Sequence, residues 1–120
     1  MHALIIEDHK LVAALVEDCL EEMGFDSFDF ADCHNDAVAA ALRKLPDLII
    51  ADDKLVEGTG FGAVTVIRET QNVRVVFASA EPERVLELDP YAITVTKPFS
   101  IDQFKAAVVS AMQSVSDTNR

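Results

Sequence analysis

The sequence predicts an α/β domain in which five parallel strands form one sheet and helices cover both of its faces. Three observations predict it. Short apolar runs alternate from end to end with stretches whose apolar residues recur at helical spacing. The runs are continuous rather than alternating, as in strands buried on both faces. The chain has 120 residues, 50% of them hydrophobic, which fits one domain with a packed core.

Each element has its own signal. Ala3–Ile6 is the first strand. Leu11, Val12, Leu15, Val16, Cys19, Leu20 and Met23 then repeat at helical spacing, and Gly24 provides the stop. Phe25, Phe28 and Phe30 mark a second strand, less regular and nearer an edge, whose rings are assigned to the core. The run Ala37–Leu42 reads as helix and is closed by Pro46, and Leu48–Ala51 is the third strand. A loop holding Gly58, Gly60 and Gly62 leads into a helix with Val64 and Ile67. Val73–Ala78 is the fourth strand; Pro82 suits a first helical turn before Val85, Leu86 and Leu88. Ala92–Thr96 is the fifth strand, and Ser100 is placed as N-cap of a last helix carrying Ile101, Phe104, Val108 and Met112. The folded domain is expected over 1–113, with a short polar tail at 114–120.

Composition excludes several function classes. Lys plus Arg number 10 and Asp plus Glu 21, a net charge of −11, so the surface repels phosphate backbones and direct nucleic-acid binding is not expected. Cys19 and Cys33 have no zinc-site spacing and are expected as reduced thiols. Charges begin at Glu7, too early for a signal peptide, and no stretch approaches the ~20 apolar residues of a membrane span. A cytoplasmic protein is expected.

The polar residues at the strand ends carry the chemistry. Glu7-Asp8 ends the first run, Asp52 the third, Ser79 the fourth, and Lys97-Pro98 the fifth. In a parallel sheet these ends share one edge, where open α/β sheets bind their ligands. Three carboxylates, a hydroxyl and an ammonium gathered there suit a divalent metal and a phosphoryl group. Two carboxylates ~4 Å apart repel by about 4 kcal/mol at a surface-like dielectric, a penalty that a cation removes. Taken alone, Glu7-Asp8 also suits the start of the first helix, where carboxylates complement the helix dipole. His9 is read as a solvated residue at that helix start. Asp53 competes with Asp52 as phosphoacceptor, but it falls one residue past the apolar run and is expected to point away.

Together, the Glu7-Asp8 pair, the string Pro46-Asp47-Leu48-Ile49-Ile50-Ala51-Asp52, Ser79-Ala80 and Lys97-Pro98-Phe99 resemble the receiver domain of two-component response regulators. The resemblance covers nearly the whole chain and implies the flavodoxin-like (βα)5 fold. The interval from Ser79 to Lys97 is short, which implies an abbreviated fourth helix. The string Ser79-Ala80-Glu81-Pro82-Glu83-Arg84 is similar to the crossover in receivers of alphaproteobacterial general-stress regulators. Two positions depart from the pattern. Val56 stands where many receivers have proline, and Thr94 where many place a switching Tyr or Phe, the nearest aromatic being Tyr91.

By that resemblance Asp8 and Asp52 ligate Mg²⁺, Glu7 acts mostly through water, and the Lys54 backbone carbonyl adds a ligand. The Lys54 side chain either reaches the phosphoryl group or points into water. Asp52 is the phosphoacceptor, Lys97 pairs with it at rest and with a phosphoryl oxygen afterwards, and Ser79 donates to another once its loop moves inward. The implied function is a stand-alone, phosphorylation-dependent switch, not an enzyme acting on other substrates. The implied phosphodonor is a sensor histidine kinase or histidine phosphotransfer protein, which is expected to contact Leu11, Val12 or Leu15. An unnamed downstream protein and a monomer or weak dimer complete the expectation. Two alternatives stay open. A pseudo-receiver docking module would keep the fold and signal without phosphate. A haloacid-dehalogenase-like phosphatase would want a carboxylate two residues after its nucleophile, where this chain has Lys54.

Overall fold

The computed structural model describes residues 1–55 and 57–114; Val56 and residues 115–120 lie outside the described residues. Strands β1 (His2–Ile6), β2 (Ser27–Ala31), β3 (Leu48–Asp52), β4 (Val75–Ser79) and β5 (Ile93–Thr96) alternate with helices. The helices are α1 (Lys10–Glu22), α2 (His34–Arg43), α3 (Gly60–Arg68), α4 (Pro82–Leu88) and α5 (Ile101–Ser114). The strands pair in parallel in the order β2-β1-β3-β4-β5. β1 leads outward to β2 and the chain then crosses back to β3, so the switch point of the sheet lies between the C-terminal ends of β1 and β3.

The strand period of two sorts the core into two layers. Ala3, Ile5, Leu48, Ile50, Val76 and Ala78 face one side with Val16, Leu20, Phe104 and Val108 of α1 and α5. Their alternates Leu4, Ile6, Ile49, Ala51, Val75 and Phe77 face Ala37, Ala41, Val64, Ile67 and Val85 of α2, α3 and α4. Burying each larger side chain contributes roughly 1.5–3 kcal/mol against leaving it in water. This explains why the strands read as unbroken apolar runs.

Local signals place the helix ends. The Ser100 hydroxyl accepts from the Gln103 N–H at 3.1 Å while the Gln103 side chain accepts from the Ser100 N–H at 2.9 Å, a reciprocal capping box. Thr59 caps α3 through the Gly62 N–H, and Pro82 starts α4, which has 7 residues, as short as the sequence implies. Gly24 ends α1 at a φ of 101° that favours glycine.

One expectation about the core needs correction. Phe25 is buried and Phe28 packs against the α1/α5 layer, but Phe30 is 51% exposed. It pairs with Ile5 on the edge strand, beside Ala13 and Ala14 of α1, side chains too small to cover it. On α1 the buried stripe runs through Ala13, Val16, Cys19 and Leu20, leaving Leu11 and Leu15 exposed.

Candidate phosphoryl and metal site

Each candidate side chain sits where an apolar strand stops. Glu7 and Asp8 follow β1, and Asp52 is the last residue of β3. Glu7, Asp8 and Asp52 each offer a carboxylate oxygen, the three within 4.8 Å of one another. Lys97, just past β5, bridges two of them: its Nζ lies 2.7 Å from Glu7 Oε1 and 3.2 Å from Asp52 Oδ1. The Glu7 side chain is 5% exposed and that of Asp52 12%, whereas Asp8 opens to solvent.

Burial pushes the Glu7 carboxyl above its usual range, the Asp52 charge adds to the rise, and the bond to Lys97 works against it. Burial also works to lower the Lys97 ammonium, but its bonds to Glu7 and Asp52 outweigh that and hold it above its ordinary value. One ammonium thus faces three carboxylates. Hard oxygen donors of this kind, one of them open to water, suit Mg²⁺ with its retained waters. Asp8 is the member of the trio that Lys97 does not reach.

The lysine therefore sits closest to Glu7, a pairing that the expected water-mediated role of Glu7 does not include. Lys97 is itself fixed through its backbone, its N–H donating to the Ser79 carbonyl at 2.8 Å; the Lys97–Pro98 peptide is cis. The Lys54 side chain is 75% exposed with its ammonium 3.8 Å from Glu81, and its N–H approaches Asp52 Oδ1 at 3.5 Å.

Ser79 is buried and occupied. Its hydroxyl donates to Asp53 Oδ2 at 3.4 Å and accepts from the Glu81 N–H at 2.9 Å. Asp53 does turn away from Asp52, but toward Ser79 rather than to water. Strand alternation puts residue 53 on the opposite side from Asp52, the side on which Ser79 continues Val75 and Phe77. The sequence contains no local signal for this contact, because it joins the end of β4 to the loop after β3.

A second feature was hidden in the run of glycines. A Cβ on Gly60 would lie 1.9 Å from the Asp52 carbonyl oxygen, so only glycine lets the start of α3 press against the end of β3. Gly58 has a φ of 80° instead. The loop from β3 to α3 is tied to the start of α2, the His34 N–H donating to the Glu57 carbonyl at 3.1 Å. On the other flank of the site a groove of about 410 Å³ is lined by Val12, Leu15, Ala80, Lys97, Pro98 and Phe99. Leu11 stands outside that groove. No helix among the described residues is long and apolar enough to cross a membrane.

Known proteins share this fold. The family model of the response regulator receiver domain matches residues 3–109. The phyllosphere-induced regulator PhyR of Methylorubrum extorquens is 36% identical over 113 residues, covering 91% of this chain and 42% of that protein. The crystal structure of PhyR from Brucella abortus superposes with a TM-score of 0.88 at 30% identity, over 98% of this chain and 50% of that one. The solution structure of the Erythrobacter litoralis PhyR receiver domain gives 0.84 at 32% identity, over 93% and 89%. The chain spans about half the length of the curated relatives PhyR and KdpE of Escherichia coli.

Proposed function

The chain belongs to the response regulator receiver domain family, and from that premise we propose that it is a phosphorylation-dependent switch that accepts a phosphoryl group on Asp52. The observation that carries this reading is the convergence of Glu7, Asp8 and Asp52 on one point with Lys97 bridging two of them. Asp8 and Asp52, with the Lys54 backbone carbonyl, are the ligands for Mg²⁺, and Glu7 contributes from behind. The ion, when bound, neutralises charge on the carboxylates and on the transferring phosphoryl oxygens.

An Asp52 carboxylate oxygen attacks the phosphorus of a kinase or phosphotransfer-protein phosphohistidine. The P–N bond breaks and the imidazole leaves with the electron pair. Lys97 holds Asp52 in position before transfer and shifts to a phosphoryl oxygen afterwards. Ser79 exchanges Asp53 for another phosphoryl oxygen, which draws the start of the β4–α4 segment inward. The chain thereby promotes its own phosphorylation and dephosphorylation and acts on no other substrate. The phosphodonor approaches over the groove at Val12, Leu15 and Phe99; a downstream protein reads the result, in the cytoplasm.

Against a phosphatase stands Lys54, which puts an exposed ammonium where such an enzyme wants a second carboxylate. Against a phosphate-independent docking module stands the retained ion-pair set. The test is intact-mass analysis after incubation with acetyl phosphate and Mg²⁺. One added phosphoryl group on wild type and none on Asp52→Asn is expected. Equal labelling of the two proteins overturns the assignment.

A further inference from the structure

A groove of about 480 Å³ lies on the flank of α1 away from Phe99, between α1 and the corner where β2 turns into α2. Its floor is apolar: Ala13 and Ala14 from α1, and the half-exposed Phe30 ring from the edge strand. Its rim is acidic, with Asp8 and Glu17 on one side and Asp32 and Asp36 on the other, against Lys10 alone. None of these four rim carboxylates makes an ion pair with a protein cation among the described residues, whereas most of the described lysines and arginines are already paired elsewhere. Asp32 and Asp36 converge, each offering an oxygen within 4.8 Å of the other.

We propose that this groove docks a basic segment of a partner protein, with an arginine side chain laid over Phe30 and its guanidinium held by Asp32 and Asp36. Three features of the groove fit that occupant. An exposed aromatic face attracts a guanidinium through its quadrupole. Two converging carboxylates match the planar fork of donors that arginine presents and lysine lacks. The alanine floor leaves room for the aliphatic stem that carries the charge. The far wall, at the start of α2, is bonded to the loop that follows Asp52 through Glu57, so a segment seated here lies beside the phosphoacceptor loop. The docking itself requires no phosphate.

The test uses fluorescein-labelled tetra-arginine amide, titrated into the full chain by fluorescence anisotropy and by amide chemical-shift mapping. Shifts confined to Ala13–Glu17 and Phe30–Asp36 are expected. Affinity should fall at least tenfold in Phe30→Thr and in Asp32→Asn/Asp36→Asn, and should be unchanged in Glu83→Gln/Glu87→Gln, which removes two exposed charges from α4. If Phe30→Thr disturbs the spectrum as a whole, the aspartate pair, exposed on the rim, decides. Shifts spread over the acidic surface, or equal weakening by the α4 variant, would reduce the effect to general charge attraction and overturn the proposal. Spermidine is the second probe: binding as tight as the peptide's, with the same dependence on Phe30, would make this a polyamine site and overturn it as well.

Discussion

Replacing Gly60 with alanine sets two effects of opposite sign against each other. Gly60 has no positive φ, so its backbone is one an alanine adopts freely. At the first position of α3, helix propensity favours alanine by up to about 1 kcal/mol. The added Cβ, however, would lie 1.9 Å from the Asp52 carbonyl oxygen and 2.9 Å from its carbonyl carbon. An ordinary contact begins at 3.4 Å, so the end of β3 and the start of α3 must part by up to 1.5 Å. Both partners are backbone held in regular elements and have no rotamer to yield. Overpacking of this kind costs about 1–3 kcal/mol or more, so the clash wins. The melting temperature should fall, at about 4 °C for each net kcal/mol. The larger effect is on Asp52, because a catalytic group misplaced by ~1 Å loses on the order of 100-fold in rate. The assay is acetyl phosphate labelling with Mg²⁺, followed by intact mass, on protein first shown to be folded. A Gly60→Ala protein that melts at or above wild type and is labelled within twofold of its rate would refute the reasoning.

Other substitutions probe the rest of the site. Lys97→Met leaves Glu7 and Asp52 without their protein cation, so Mg²⁺ should bind more tightly by calorimetry while phosphorylation slows at least tenfold. Mg²⁺ at ten times its dissociation constant should stabilise wild type by about 1.4 kcal/mol, seen as a rise in melting temperature that Asp52→Asn reduces. Ser79→Ala should still take phosphate at Asp52 but lose most of the change in amide exchange over Glu81–Leu88 on beryllofluoride binding; Asp53→Ala, which frees the hydroxyl, should enlarge that change. Were exchange to change around Tyr91 and Thr94 instead, the route through Ser79 would be wrong. Ser100→Ala removes half of a capping box and should cost about 1 kcal/mol in thermal unfolding without altering phosphorylation.

The sequence was most readable where apolar runs end. A strand buried on both faces cannot continue through a charge, so Glu7, Asp8, Asp52 and Lys97 announce the sheet edge and hence the site. The Ser100 cap was legible because it depends on residues a few positions apart, and the short α4 because the interval from Ser79 to Lys97 is brief for the receiver domains that the chain resembles. Phe30 was misread because period and hydrophobicity give a side chain's face but not whether a neighbouring helix covers it. The Ser79–Asp53 bond and the approach of Gly60 to Asp52 are contacts between separate elements, set by how a loop returns. Glycines in a row look alike in one dimension; the fold gives Gly58 a left-handed turn and Gly60 a steric gap.

The bond between Lys97 and Glu7 joins residues 90 positions apart. During synthesis the acidic trio of residues 7, 8 and 52 leaves the ribosome long before its ammonium does. Until β5 pairs with β4, no side-chain cation among the described residues pairs with Asp52, and the groove at Phe99, where the phosphodonor is proposed to dock, does not yet exist. On the proposed function, competence to be phosphorylated is thus acquired late, with the closing strand, and a chain truncated before residue 97 carries Asp52 without the lysine that pairs with it. The ion pair that holds the resting site also certifies that the domain is complete.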